Sequence, residues 1–326
     1  MSPLVLTYNP ADQSATYFID NSSTERIDTC ARSAEFYLSR RKEANADKPA
    51  LTFGKILHKC LEYRYRNLHK STIECVDSMI NIAQAEFSKY TPPDGDYRNF
   101  AMAVDAIRHY ADTYPFEPFE LCTINSAPAV EIPFAVPLCT IEINHDMAYW
   151  DNGEVKVSHV KHIHVMWKGK IDIALRLSGR LYGMDHKSTS MMGPSYFSDF
   201  ILSGQIYGYS WALEKILGEL PYGFLINALG IRAPTKTGKK LEYSRYTVLI
   251  QRELIDEWYL DTTHKLADFF EMARRGYFPK QTKWCASKFG MCEYHAVCTL
   301  TGSMRETMLT TNMYKNVTWD PLKNED

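Results

Sequence analysis

The order of apolar and polar positions divides the chain into a helical first part and a middle part rich in strands. Residues 22–42 are predicted to form a helix, because Ser22 and Glu25 have the spacing of a capping box and a basic run closes the segment. Residues 54–114 are rich in helix formers and are interrupted by TPPDG, which predicts two or three helices. From about residue 128, apolar residues alternate with others, which is typical of a strand.

The rest of the pattern predicts strands and helices in alternation. Five further segments are predicted to be strands: 159–167, 169–177, 181–187, 221–231 and 242–250. Two segments are predicted to be helices: 196–218 and 251–275. We therefore expect an α/β domain whose central mixed sheet is flanked by helices, with a helical insertion around residues 60–125.

Composition and charge exclude some classes of function and leave others open. With 45% apolar and 23% charged residues, the chain is typical of a soluble globular protein. No stretch approaches the roughly 18 apolar residues that span a bilayer, and the N-terminus lacks the pattern of a secretory signal. We therefore expect a cytoplasmic protein without a membrane role. The net charge of −2 provides no general attraction to nucleic acid, so any such binding must use local patches.

The stretch GKIDIALRLSGRLYGMDHKST contains the most informative carboxylates of the chain. If the Ser-Gly dipeptide at 178–179 forms a two-residue hairpin turn, the two residue numbers of every cross-strand pair add up to 357. Asp172 then lies opposite Asp185, with Cβ atoms roughly 4.5–5.5 Å apart. Lys187, two positions further along the strand, points to the same face.

Two carboxylates in this arrangement repel each other, and a divalent cation would remove that repulsion. Oxygen ligands of this kind suit Mg²⁺ or Mn²⁺. A lysine beside them can stabilise a hydroxide or the charge that develops on a phosphorane. The pattern therefore predicts a site for phosphodiester hydrolysis. The alternative is that Asp172, Asp185 and Lys187 are ordinary charges on a solvated strand face, because a D-x-K tripeptide alone is weak evidence.

Five features, in this order along the chain, resemble RecB-like nucleases of the PD-(D/E)XK superfamily. FGKILHKCLE carries His58 and matches the family's G-x-x-x-H ligand, and AVEIPF carries Glu131, which matches a glutamate before the central hairpin. GKID and MDHK match the motifs of the metal-binding aspartate and of (D/E)-x-K. GQIYGY supplies Gln205 and Tyr209 of the family's Q-x-x-x-Y. The resemblance covers residues 22–298.

This resemblance implies a restriction-endonuclease-like core and a role for each matching residue. The implied metal ligands are His58, Asp172, Asp185 and the backbone carbonyl of His186. Glu131 would act on the metal directly or through water, and Lys187 would position or activate the attacking water. Gln205 and Tyr209 would contact DNA. Position 185 is Asp where many relatives have Glu, a difference that the RecB-like branch accepts.

Each of these residues also has a purely structural interpretation. A single helical histidine such as His58 is more often a surface or core residue than a ligand. Glu131 could be an exposed strand carboxylate, and Gln205 and Tyr209, at i and i+4, could simply pack against the sheet. The ordered coincidence of all five features favours the functional interpretation.

The cysteines suggest a second metal centre. Eight cysteines in a chain without a secretory signal are typical of thiols or metal ligands. The early Cys30 and the late array of Cys285, Cys292 and Cys298 resemble the iron–sulfur branch of these nucleases, which includes AddB-type and CRISPR-adaptation exonucleases. The gaps of six and five residues in the array exceed the usual spacing of structural zinc ligands and favour a [4Fe–4S] cluster. Zinc, with His295 in place of one thiol, is the alternative.

The resemblance also implies an organisation of the chain. We expect a single nuclease domain over residues 1–300, with a cluster-binding segment at 285–298 and a loosely attached tail at 301–326. The segment around the cysteine array looks like bacteriophage-encoded members.

The implied activity is Mg²⁺- or Mn²⁺-dependent hydrolysis of single-stranded DNA ends, in recombination, repair or replication. The expected setting is the cytoplasm of a bacterium or of a phage-infected cell, with recombination or replication proteins as partners. Two alternatives remain open. One is a catalytically inactive DNA-binding or recombination scaffold that keeps the cluster. The other is a regulatory module held together by zinc, without nuclease activity.

Overall fold

The computed structural model describes residues 1–46, 48–193, 195–236, 238–287, 290–317, 320 and 322. Its α-helices are α1 (Asn21–Thr29), α2 (Ala31–Ala34), α3 (Pro49–Arg66), α4 (Thr72–Phe87), α5 (Phe100–Thr113), α6 (Gly204–Leu217), α7 (Arg252–Arg275), α8 (His295–Cys298) and α9 (Gly302–Leu309). A π-helical turn spans Glu35–Ser39, and 3₁₀-helices span Tyr196–Phe200 and Thr282–Trp284. No helix in these ranges is both long and apolar enough to cross a membrane.

The strands of the described residues are β1 (Leu6–Asn9), β2 (Ser14–Ile19), β3 (Lys42–Ala44), β4 (Glu120–Leu121), β5 (Thr123–Ile124), β6 (Ala127–Pro128), β7 (Val130–Asp151), β8 (Glu154–Leu177), β9 (Arg180–Thr189), β10 (Gly223–Thr235), β11 (Gly238–Leu249), β12 (Ala286–Ser287), β13 (Gly290–Met291) and β14 (Tyr314–Asn316). Eight of them form a mixed sheet with the order β1-β2-β8-β9-β10-β11, and β4 and β7 also pair with β8. The predicted α/β fold with a central mixed sheet flanked by helices is confirmed.

The chain divides into two compact units. The first comprises Met1–Ala46, Pro133–Gly169 and Glu253–Asp326, and the second comprises Asp47–Ile132 and Lys170–Arg252. The single domain over 1–300 therefore stays a prediction. Residues 318, 319, 321 and 323–326 of the predicted tail lie outside the described residues.

Aromatic contacts contribute to the core of the first unit. Trp167 of β8 meets Trp258 of α7 edge to face, with ring centroids 5.2 Å apart. A smaller cluster brings the end of the chain into this unit, because β14 pairs with β3 and Tyr314 stacks on Tyr294 at 5.8 Å. Both tyrosine side chains are buried. The described part of the 301–326 segment thus contains packed structure.

The second unit is built on the hairpin of β8 and β9. Ser178 and Gly179 at its turn both have positive φ, 51° and 77°, which is the pattern of a type I′ turn. Pairing continues from this turn to Ile173 and Met184. The residue numbers of each pair sum to 357, as predicted. The register is therefore confirmed from the turn as far as Ile173 and Met184, which are the sequence neighbours of Asp172 and Asp185.

Two adjacent rows of residues cross β9, β10 and β11. One row contains Asp185, Ile226 and Tyr246, and the next contains His186, Asn227 and Arg245. Side chains within a row share a face, and neighbouring rows point to opposite faces. Apolar residues of α3, α4 and α5 pack against the face that carries Met184, Leu225 and Leu229, which is the face of the second row. The first row therefore lies on the opposite face.

Gly183 allows a bulky ring to lie on the face of the first row. A Cβ at this position would lie 2.1 Å from the ring of Phe224, its neighbour on β10. Phe224 is fully buried, and its ring centroid is 6.1 Å from that of Tyr209 on α6. A glycine at 183 therefore lets α6 approach the strand that carries the predicted catalytic residues.

Candidate active site

Three ligand-type side chains from different elements of the second unit lie together. His58 comes from α3, Glu131 from the start of β7, and Asp172 from β8, and their donor atoms all lie within 4.8 Å of one another. Nδ1 of His58 is 3.7 Å from Oδ2 of Asp172. Within the described part of the chain this is the only such group of His, Cys, Asp or Glu. The fold thus brings together residues separated by more than one hundred positions.

Glu131 has an unusual backbone conformation. Its φ is +52°, a left-handed value that costs a non-glycine residue roughly 1–2 kcal/mol. Contacts on either side stabilise it, since Arg66 donates to the Val130 carbonyl at 2.9 Å and Lys170 forms an ion pair with the Glu131 carboxylate at 3.0 Å. The strain and these contacts direct the carboxylate towards His58 and Asp172.

Asp185 and Lys187 lie one and three residues beyond the last paired residue of the hairpin. Asp185 is 2% exposed, and its Oδ2 lies 2.8 Å from Nζ of Lys187. This contact is an ion pair without hydrogen-bond geometry, so that buried oxygen accepts no hydrogen bond from the described residues. The ion pair offsets part of the cost of burying this oxygen, and a bound cation would offset more of it.

The charges of this group are strongly coupled. Burial, followed by the Asp185 carboxylate, raises the pKa of Asp172 well above its usual range. Burial and the Asp172 carboxylate raise the pKa of Glu131 to about 7. Burial lowers the pKa of His58, so its imidazole is neutral near pH 7, which is the form that binds metals. The residues therefore fit a divalent cation, which would relieve the carboxylate repulsion that adds to the effect of burial on the pKa of Asp172 and of Glu131.

Lys187 is held by a chain of hydrogen bonds that leads to α6. Its Nζ donates to Oε1 of Gln205 at 2.8 Å, and Nε2 of Gln205 donates to the hydroxyl of Tyr209 at 3.1 Å. Gln205 and Tyr209 are neighbours on one helix face because they are four residues apart. Of the two residues that we expected at the DNA, Gln205 thus contacts the predicted catalytic lysine directly and Tyr209 is connected to it through Gln205.

The side chain of His186 lies on the sheet face opposite to Asp185 and is fixed from two sides, and its ring centroid is 5.7 Å from that of His58. Its backbone N–H donates to Oδ2 of Asp172 at 2.7 Å, and its ring Nδ1 accepts a hydrogen bond from Nδ2 of Asn227 at 2.7 Å. Tyr65 stacks on the imidazole with ring centroids 5.4 Å apart. Burial lowers the pKa of His186 far below its usual range, so the ring is neutral. That its carbonyl binds a metal stays a prediction.

A buried polar network beyond Asn227 was missed by the sequence analysis. Arg245 donates from Nε to Oδ1 of Asn227 at 3.1 Å and forms a two-pronged ion pair with Glu117 at 2.6 and 2.9 Å. Its Nη2 also donates to the hydroxyls of Tyr65 and Tyr110. An asparagine within the apolar run GFLINALG was a usable signal, because a buried amide requires partners. Glu117, in a connecting segment, gave no such signal.

In the first unit, the four cysteines predicted to bind the cluster line one cavity: Cys30, Cys285, Cys292 and Cys298. The N–H of Cys292 donates to the carbonyl of Cys285 at 2.9 Å, and the N–H of Gln281 donates to the sulfur of Cys30 at 3.4 Å. No three of these sulfurs lie within 4.8 Å of one another. Zinc bonds of about 2.3 Å would place tetrahedral sulfurs only about 3.8 Å apart.

Comparisons with known proteins bear on the family of the chain. The sequence model described as the PD-(D/E)XK nuclease superfamily matches residues 21–299. Comparison with curated proteins gave no match. Among solved structures, a putative exonuclease from Eubacterium rectale is 11% identical, with 81% of this chain and 84% of that chain covered and a TM-score of 0.42. The structure of SSO0001 is 8% identical, with 65% and 74% covered and a TM-score of 0.24.

The buried network generates a prediction about stability. Replacing Glu117→Gln leaves the charge of Arg245 without its partner, so the free energy of unfolding should fall by about 3–5 kcal/mol in urea denaturation. Glu219→Gln is the matched control, because Glu219 pairs with Arg176 at 2.7 Å but both side chains are more than 40% exposed. The control should cost less than about 1 kcal/mol. Equal costs for the two variants would contradict the role given to the network.

Proposed function

This chain belongs to the PD-(D/E)XK nuclease superfamily, and on that premise we propose that it is a metal-dependent deoxyribonuclease. The observation that carries the proposal is the convergence of His58, Glu131 and Asp172 within 4.8 Å. Asp185 supports it with a buried oxygen that accepts no hydrogen bond from the described residues, beside the ammonium of Lys187. Five ionisable groups thus meet at one place, and two of them, Asp172 and Asp185, are buried, which is typical of a functional site.

Mg²⁺ or Mn²⁺ would be held by His58, Asp172, Asp185 and the His186 carbonyl, with Glu131 as a direct or water-mediated ligand. Carboxylate and carbonyl oxygens suit these ions, and one imidazole is compatible with Mn²⁺. When bound, such an ion stabilises charge on a phosphoryl oxygen and lowers the pKa of water. Family membership supports this assignment, as does the raised pKa of Glu131 and Asp172.

The residues of the chain itself would then orient the substrate and the attacking water. Lys187 presents a positive charge whose direction is fixed by Asp185 and Gln205, so it can stabilise negative charge on the scissile phosphate or position the water. Gln205 and Tyr209 would contact the DNA backbone from α6. Because these groups are held by hydrogen bonds before substrate binds, they need little reorganisation during the reaction.

The preferred substrate in this proposal is a single-stranded DNA end, cleaved exonucleolytically during recombination, repair or replication in the cytoplasm. The ordered motifs that resemble RecB-like nucleases support this choice. Recombination or replication proteins would then be the natural partners. An inactive DNA-binding scaffold is the alternative, and the intact set of His58, Asp172, Asp185 and Lys187 favours the enzyme.

We further propose that Cys30, Cys285, Cys292 and Cys298 hold a [4Fe–4S] cluster, as in the iron–sulfur branch of the superfamily. Their common cavity supports this, and so do the sequence gaps of six and five residues, which exceed the usual spacing of structural zinc ligands. The cluster would tie the junction of α1 and α2 to the segment 285–298. Such a constraint closes a loop of more than two hundred residues and would contribute directly to folding.

The catalytic proposal predicts the loss of one activity. End-labelled single-stranded DNA should be cleaved by the wild type with Mg²⁺ or Mn²⁺, and Asp185→Asn should reduce the rate at least about 100-fold. Asp112→Asn removes an exposed carboxylate of α5 and should leave the rate unchanged. If folded wild type cuts neither this DNA nor its duplex form, the result contradicts the enzyme and favours the inactive DNA-binding scaffold.

The cluster proposal predicts a visible change. Cys292→Ser should yield poorly soluble, colourless protein, whereas wild type purified without oxygen should be brown and contain about four irons per chain. Cys139→Ser, at a half-buried cysteine outside the cavity, should keep the colour. Soluble, brown and fully active Cys292→Ser protein, or zinc in place of iron in the wild type, would refute the cluster.

A further inference from the structure

We propose that an aromatic platform formed by Tyr196, Phe197, Phe200 and Tyr246 stacks against unpaired bases of the DNA strand that enters the active site. This inference rests on the proposed nuclease function and gives that function a physical basis for selecting single strands. The platform lies in the second unit, and none of its residues belongs to the motifs that indicated the nuclease.

The platform is formed by contacts between aromatic rings. Tyr196 meets Phe197 and Phe200 edge to face, with ring centroids 5.3 and 5.4 Å apart. Phe197 stacks on Tyr246 at 5.2 Å with an interplanar angle of 23°. The 3₁₀-helix Tyr196–Phe200 lies between β9 and α6, so it connects the strand of Lys187 to the helix of Gln205. Three of the four platform residues therefore lie in the segment that joins the two ends of the Lys187–Gln205 hydrogen bond, and Tyr246 is contributed by β11.

Strand register places the platform close to the metal-ligand residues. Tyr246 lies in the same row as Asp185, with Ile226 between them, so the two side chains share a face. Two strand spacings separate them, about 10 Å in all. Burial and the charge of Asp185 raise the pKa of Tyr196 to about 12, which agrees with this proximity. About 10 Å corresponds to roughly three stacked bases at 3.4 Å each.

Several large apolar side chains beside the platform are open to solvent. Tyr246 is 38% exposed, and Met191, Ile201 and Leu202 beside the 3₁₀-helix are 61%, 43% and 75% exposed. Arg232 fixes this segment by donating to the carbonyl of Met192 at 2.7 Å. Large exposed apolar side chains grouped around aromatic rings are typical of a binding surface rather than of a solvated one.

Unpaired bases are the occupant that these observations favour. Every base has a π-face that can stack on an aromatic ring, so such a surface binds without requiring a sequence. In duplex DNA those faces are already stacked on one another. A phosphate at the Lys187 ammonium would hold neighbouring bases within reach of the platform. A second copy of the chain or another protein seated here would instead obstruct the substrate path beside Asp185.

The test measures binding separately from cleavage. Fluorescence anisotropy of a labelled oligothymidylate would be recorded with the full chain in an Asp185→Asn background, which suppresses cleavage. Adding Phe197→Leu should weaken binding about 5- to 100-fold, the range for losing a base–aromatic stack. Phe116→Leu is the matched control, because Phe116 is 86% exposed in the same unit and makes no part of the platform. Its affinity for the oligonucleotide should be unchanged.

Abasic positions in the oligonucleotide localise the effect. One base is removed within about three nucleotides of the cleaved phosphate. This removal should weaken the binding of the parent protein, which keeps Phe197. It should not weaken the binding of Phe197→Leu any further. Duplex of equal length should bind Phe197→Leu and its parent equally. Circular dichroism checks folding, and Tyr246→Leu replaces Phe197→Leu if the latter unfolds.

Three results would overturn the platform: equal single-strand affinity in Phe197→Leu and Phe116→Leu, an equal loss of duplex affinity, or a change of oligomeric state in place of a loss of DNA binding. Failure of the nuclease proposal is distinguishable from these. If the nuclease proposal fails, wild type cleaves no DNA with Mg²⁺ or Mn²⁺. The effects of Phe197→Leu and of the abasic positions on binding still show whether the platform binds unpaired bases.

Discussion

Electrostatic repulsion between the buried carboxylates of Asp172 and Asp185 and the partly buried carboxylate of Glu131 is the constraint on which the arrangement of the second unit depends. Each carboxylate has its own partner: Lys170 for Glu131, the His186 N–H for Asp172, and Lys187 for Asp185. These contacts do not fully offset burial and repulsion, because the two effects together keep the pKa of Glu131 and that of Asp172 raised, and one oxygen of Asp185 accepts no hydrogen bond from the described residues. The unmet charge is what makes the site suited to a cation.

Side chains of consecutive strand residues point to opposite faces of the sheet, so β9 contacts different partners on its two faces. Asp185 and Lys187 point to the face of α6 and the aromatic platform. His186, between them, points to the other face and is held by Asn227, which Arg245 holds in turn. The network thus fixes the position of β9 from the face opposite to Asp185 and Lys187. This position of β9 also allows the carboxylate of Asp172 to accept a hydrogen bond from the backbone N–H of His186.

Local signals in the sequence were sufficient for the hairpin but not for its surroundings. The Ser-Gly dipeptide and the flanking alternation fixed a register that the structure confirms, because turn type and strand pairing are determined by neighbours in the chain. The helix predicted over 22–42 is interrupted at Cys30, whose backbone is extended, and the helix predicted from 196 begins at Gly204 after a 3₁₀ segment. Both interruptions fall in segments that we assign to the cluster or to the platform.

Long-range contacts explain what the sequence could not provide. Arg245 and Glu117 are 128 positions apart, and no periodicity connects a strand residue to one in a loop. The left-handed backbone of Glu131 likewise depends on Arg66 and Lys170, so the motif around it predicted the carboxylate but not its direction. Burial and charge partners at the site become visible only once the sheet brings these elements together.

The most direct test of the central claim is a titration of the purified chain with Mn²⁺, in which unbound Mn²⁺ is followed by electron paramagnetic resonance. The account predicts saturable binding of one or two ions per chain, weakened at least about tenfold by Asp172→Asn, because that change removes a ligand and part of the repulsion that the ion offsets. Binding of equal strength in the wild type and in Asp172→Asn would contradict the account, as would the absence of binding in the folded wild type.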